Sequence, residues 1–436
     1  FADQVVRRHR TFFWPNLNNV RILGQRQDIQ SSRGIWWDRD RARTYRPGSN
    51  TRYRCDDRPA EFGANGEILT ELNDEGVPIE GWVEVTPYWA PETTVRVCGF
   101  LAQERPFASN GTDCSRVPNH AECGCGPNLI WCGPPSMERA LRVGFVKSLE
   151  RSIHQATSDN SSYLELFEGQ AFDVNGPMVH FFRYLSLDAR SPFNPLPMAV
   201  GSLPDIPPYE ESTWATVDLP MAHAGLLTHP SFLLRFQTNR ARASRFYESF
   251  LCAPFQPPPG GLPIGDDESA READLQKRTG CKYCHSLLEP AASHWGRWNE
   301  QGGGYFDSRA YPTINAECLA CATGGGNCSR FCRDNYLTRA LSPEEIPYLG
   351  MLQAYAFLKD EHLVNVEYGP KLLVRSSVAN HRLPLCVARK SAQWLLDRDL
   401  DQHGDEEWLQ EISKKFVRDG FSYRELIKSV VSSERY

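Results

Sequence analysis

Apolar residues recur at helical spacing along most of the chain and alternate with polar ones only over a short stretch near its start. In residues 1–16, Phe1, Val5, Val6, Phe12 and Phe13 fall near a 3.6-residue period, and Pro15 ends the run, which predicts a first helix. From residue 50 to residue 105 the period shortens to two. EILTEL, EGWVEV and TTVRVC alternate, with GANG, NDEG and PETT as turns between them, so a small β-rich module is expected there. A loop-like stretch, 106–135, holds Cys114, Cys123, Cys125 and Cys132. The helical period then returns in SMERALRVGFVKSLERSIHQAT, where Met137, Leu141, Phe145, Leu149 and Ile153 form one apolar stripe.

Ser162 and Glu165 stand at capping-box spacing before YLELFEG, and Asn175 with Pro177 opens a further helix through VHFFRYL. Residues 239–251 read as a helix ending near Pro254, 254–267 as a Pro/Gly linker and 268–288 as helix again. A cysteine- and glycine-rich loop fills 300–333. Four helical stretches complete the chain: PEEIPYLGMLQAYAFLK, CVARKSAQWLLDRDL, DEEWLQEISKKFVRDG and SYRELIKSVVSSERY. Gly420 sits at a C-terminal cap, and Ser422 with Glu425 repeats the capping box. The expected organisation is therefore α+β. A β-rich N-terminal region spans 1–136 and a helical domain 137–253. A cysteine-bearing region follows over 254–335, and a C-terminal helical domain over 336–436.

Charge narrows the partners. Lys and Arg number 48 against 54 Asp and Glu, a net charge of −6, so no basic excess is available for nucleic acid. The clusters Arg7–Arg10 and Arg39–Arg46 read as solvated or salt-bridged surface. No apolar run approaches the length that spans a bilayer. The chain opens on Phe1 in place of Met, as it would after loss of a leader or of further N-terminal sequence. Fourteen cysteines in 436 residues are too many for an ordinary cytosolic enzyme and point to a periplasmic or extracellular setting.

One motif carries chemistry. Cys281-Lys282-Tyr283-Cys284-His285 is C-x-x-C-H, the attachment signature of a c-type haem. Two thiols three positions apart can form thioethers to the two vinyl groups of one porphyrin, and the following histidine becomes the proximal iron ligand. Composition alone yields the motif about 0.01 times in a chain of this length. A zinc half-site, a redox C-x-x-C or a disulfide beside a histidine are the other readings of the same residues. His294 is a distal candidate if the chain breaks at Pro290 and a loop carries it round the haem edge; nine extended residues reach roughly 30 Å. His229, in LLTHPSF, is a second candidate for that position, and Met221 and Met351 are weaker ones. Trp295, Trp298 and Tyr283 suit either haem packing or an ordinary core.

The twelve other cysteines allow six disulfides. Cys318-x-x-Cys321 with Cys328-x-x-x-Cys332 has the alternative of zinc or an iron–sulfur cluster, and Cys252 and Cys386, at helix ends, that of buried thiols. No P-loop, Rossmann fingerprint, nucleophile elbow or zincin motif is present. Asp397, Asp399 and Asp401 begin like a calcium loop, but Gln402 replaces the required Gly.

GLLTHPSFLLRFQTNRARASRFYESFLCAPFQPPPGGLP, followed by CKYCHSLLEPAASHWGRW, resembles a bacterial family of cytochrome c domains of unknown function, abundant in planctomycetes and myxobacteria. The flanking segments resemble the helical domains that accompany it, so the likeness covers 137–436. Leu288-Glu289-Pro290 stands where that family often has Met-Asp-Pro. The resemblance implies an exported haem protein with Cys281, Cys284 and His285 as haem-binding positions. The function expected is electron transfer by one covalent haem c, with a redox protein as partner. A peroxidase or oxidase with an open distal face, and a haem-bearing subunit of a self-assembling filament or scaffold, are the alternatives.

Overall fold

The computed structural model describes residues 2–18, 20–23, 28–32, 34–38, 55–64, 66–72, 74, 76, 78–116, 122–158, 161–186, 199–256, 260–262, 271–272, 274–300, 303–352, 360–401 and 404–436. The second basic cluster, Arg39–Arg46, and most of the Pro/Gly linker lie outside the described residues.

The period-two stretch does form strands, and two more precede it. β1 (Ile29–Ser32) and β2 (Ile35–Asp38) make a hairpin, β3 (Glu61–Phe62) pairs with β4 (Ile68–Leu69), and β5 (Glu71–Leu72) pairs with β6 (Pro78–Ile79). β7 (Trp82–Val85) and β8 (Val95–Cys98) complete a four-stranded sheet in the order β1-β2-β8-β7, with β2 and β8 parallel. Such short strands bury little. Disulfides supply what the small cores lack: Cys55–Cys98, Cys114–Cys123 and Cys125–Cys132 each sit in one of three local apolar clusters.

The main core is helical. The helix Pro135–Ser158 buries the whole expected stripe from Met137 to Ile153, and the helix Ala2–Phe13 lays Val5 and Phe13 against the same core. A strand pair that the apolar pattern did not announce, β9 (Ala171–Asn175) with β10 (Trp214–Asp218), covers part of it. Asn175 caps the turn after β9 by accepting from the Met178 N–H. In contrast, Ser162 forms no capping box; its hydroxyl accepts from the Leu164 N–H instead. The helices Asn239–Phe250, Arg382–Leu396, Glu406–Arg418 and Tyr423–Val431 close the core through Phe246, Val387, Leu409 and Leu426. Gly420, at φ 67°, and the Ser422 cap separate the last two as expected.

Among the described residues, those between 271 and 352 depart most from the expected pattern; residues 353–359 of the expected helix in PEEIPYLGMLQAYAFLK lie outside them. The helix begins only at Lys282; residues 274–281 run in turns, with Asp274 accepting from the Gln276 N–H and Gly280 at φ 83°. Pro290 does not break that helix, which runs from Lys282 to Ala292 and continues as a 3-10 turn, Ser293–Trp295. Fully buried Trp295 donates to the Leu227 carbonyl, and the Asn365 amide bonds both the Pro290 carbonyl and the Ser293 hydroxyl, so tertiary contacts override the proline. Within PEEIPYLG a 3-10 segment, Pro343–Tyr348, is capped by Leu349 and followed by Gly350 at φ 79°. Two short helices, Ala316–Thr323 and Arg330–Asn335, carry Cys318, Cys321 and Cys332 over a separate small core.

Candidate functional site

All fourteen cysteines are described, and they divide cleanly. Cys252 bonds Cys386, Cys318 bonds Cys332 and Cys321 bonds Cys328. With the three N-terminal bridges these make six disulfides; Cys252 and Cys386 are therefore not buried thiols, and the four cysteines of 318–332 are not a metal cage. Only Cys281 and Cys284 are left with free thiols, and both are half-buried.

The site is built on the first turns of the helix Lys282–Ala292. Cys281 occupies its N-cap with helical φ/ψ, and both Cys284 and His285 bond back to the Cys281 carbonyl. A spacing of three places the two sulfurs on neighbouring helix positions. Four residues past His285, also on the same face, stands Glu289. Its Oε1 accepts from His285 Nδ1 at 2.5 Å and from Arg240 Nε at 2.7 Å. The carboxylate is wholly buried, whereas the His285 ring is 21% exposed and the Arg240 side chain 36%. With Nδ1 engaged, His285 keeps Nε2 without a hydrogen bond among the described residues. Tyr283 and Leu287, half-exposed on the same helix, add apolar surface beside it.

These residues fit a covalently held haem in donor type and disposition: two thiols, one imidazole nitrogen aimed away from its own anchor, and uncovered apolar side chains. The structure does not bring the distal candidates to them. His294 lies nine residues further along an unbroken helical run, roughly 14 Å by helical rise, and its Nδ1 bonds the Gly369 carbonyl at 2.9 Å. Burial lowers its pKa to about 4. The loop that was to carry it round a haem edge does not exist, because the helix passes through Pro290.

His229 is committed elsewhere on both nitrogens. Nδ1 caps the helix Pro230–Arg235 by accepting from the Ser231 N–H at 3.1 Å, and Nε2 meets the Ser148 hydroxyl at 3.2 Å. Burial pushes its pKa well below the usual value. Met351 is in the small core and Met221 is exposed; Trp295 and Trp298 belong to the main core, not to the thiol face.

Sequence reasoning passed over Glu289 and Arg240. The first had a usable signal, since His and Glu four apart on one helix must meet. Arg240 is 49 positions from Glu289 and had none. Compared with protein families, curated proteins and solved structures, the chain matches none.

Proposed function

We propose that the chain is an exported c-type cytochrome that holds one covalent haem on Cys281, Cys284 and His285 and passes electrons to a redox protein. The observation that carries this reading is the partition of the cysteines: twelve close six disulfides, and the two left over are those of C-x-x-C-H. In a compartment oxidising enough for six bridges, two adjacent thiols that do not pair call for another bond to sulfur, and thioethers supply it. The disulfide density supports a periplasmic or extracellular location. Residues 137–436 resemble bacterial cytochrome c domains, which agrees with it. Haem, when bound, supplies a one-electron iron couple. The chain's own part is to fix His285 through Nδ1, keep Nε2 for iron, and leave Tyr283 and Leu287 uncovered where a partner can approach.

Expression in a periplasm with c-type haem attachment, followed by a reduced-minus-oxidised spectrum, tests the reading. A sharp α band that survives denaturation and disappears in Cys281→Ser plus Cys284→Ser is expected. A wild-type chain recovered folded without covalent haem overturns the proposal. Carbon monoxide added to the reduced protein separates electron transfer, where the spectrum holds, from an open-faced peroxidase or oxidase, where it shifts.

A further inference from the structure

Resting on that reading, we propose that Glu289, steadied by Arg240, tunes the iron ligand: its buried carboxylate accepts the Nδ1 proton of His285, makes the imidazole a stronger donor to iron and holds the haem at a low reduction potential. A carboxylate is expensive to bury unless partners satisfy it. Glu289 is wholly buried, and both of its partners converge on one oxygen, Oε1, while Oε2 has none. The negative charge is thus shared between the proximal-ligand imidazole on one side and one guanidinium on the other.

The geometry is imposed by the helix. A spacing of four places Glu289 over the His285 ring, and Arg240 reaches the same oxygen from the neighbouring helix Asn239–Phe250. A carboxylate on the outer nitrogen of a metal-bound histidine raises the basicity of the inner one. A more basic imidazole stabilises Fe(III) over Fe(II), so the couple falls. Arg240 works against this by drawing charge from the same oxygen. The two residues therefore act with opposite sign, which distinguishes tuning from a plain ion pair between helices. Glu289 is a positioning residue here: it acts on iron only through His285.

The test compares wild type, Glu289→Gln and Arg240→Gln, each expressed with haem attachment, for covalent haem content and for reduction potential by spectroelectrochemistry. Glutamine at 289 retains the acceptor oxygen but removes the charge, and the potential should move positive. Glutamine at 240 leaves the carboxylate undivided, and the potential should move negative. Haem-loaded variants whose potentials stay with the wild type, or both move the same way, overturn the proposal while leaving the haem reading intact. A wild-type chain without haem overturns the function and this inference with it. Should Glu289→Gln fail to fold, the partly exposed Arg240 still decides the matter: no negative shift in its variant refutes the tuning.

Discussion

His285 and His229 differ in what their second nitrogen is left to do. His285 gives Nδ1 to Glu289 and keeps Nε2 unbonded; His229 uses one nitrogen as a helix cap and the other on Ser148. The amino-acid order singles out His285 through C-x-x-C-H but leaves His294 and His229 both open as the distal ligand, because a side chain's hydrogen bonds are set by residues distant in sequence. Ser148 is 81 positions from His229, and Gly369 is 75 from His294. The thiols and His285 were legible because their spacing is local, and Glu289 was legible in principle for the same reason. His229→Ala should accordingly lower the unfolding free energy by about 1–3 kcal/mol through the lost cap and the lost bond to Ser148, whose hydroxyl keeps only its donation to the Asp173 carbonyl. The haem spectrum of that variant, and of His294→Ala, should equal the wild type's. A displaced α band in either would return that histidine to the iron.

At the level of elements, the pattern succeeded where a stripe was long and failed where elements were short or held from outside. Five apolar positions over the helix Pro135–Ser158 were enough to name both the helix and its buried face. β1, β2, β9 and β10 are only four or five residues each, too few for alternation to stand out from neighbouring aromatic pairs. The cost of Pro290 is local, but the bonds of Trp295 and Asn365 let the helix continue through it. Disulfide connectivity was not legible, since it follows from how the helices pack. Cys252–Cys386 ties the end of the helix Asn239–Phe250 to the helix Arg382–Leu396 across 134 residues, whereas Cys321–Cys328 spans 7. Loop entropy alone gives about 5 kcal/mol for the first and about 2 kcal/mol for the second. Replacing Cys252 and Cys386 together by Ala should lower the denaturation midpoint more than replacing Cys321 and Cys328. The opposite ranking in guanidinium titrations would show that the long bridge is not a constraint on the unfolded chain.

The largest apolar cluster runs from Val5 to Val430, so the first and last helices share one core and a disturbance within it is felt by the whole molecule. That core contains an unusual share of imidazole. Burial lowers the pKa of His9 to about 4, of His180 and His223 to about 3, and of His229 well below its usual value; His294, as noted, is near 4. Their hydrogen bonds suit the neutral ring: His9, placed at the surface by the charge pattern around it, is instead fully buried, bonds the Val5 carbonyl through Nδ1 and accepts from the Tyr163 hydroxyl through Nε2. In the unfolded chain each titrates near 6.5. From about pH 7.5 down to 4 the unfolded state therefore binds protons that the folded state does not, and stability falls as pH falls, most steeply below 6.5; above about 7.5 neither state binds them and these groups add no slope. Asp405, held down to about 2 by Arg398, loses its contribution only below its usual 3.8, which leaves the histidine window separate from the carboxylate one. Urea midpoints at pH 7.5, 6.5, 5.5 and 4.5 should fall modestly over the first step and more steeply at each of the next two. His9→Gln should flatten part of that drop, because one of the protonating groups is gone. A midpoint that stays level down to pH 4.5 would mean that these histidines accept protons without leaving the core.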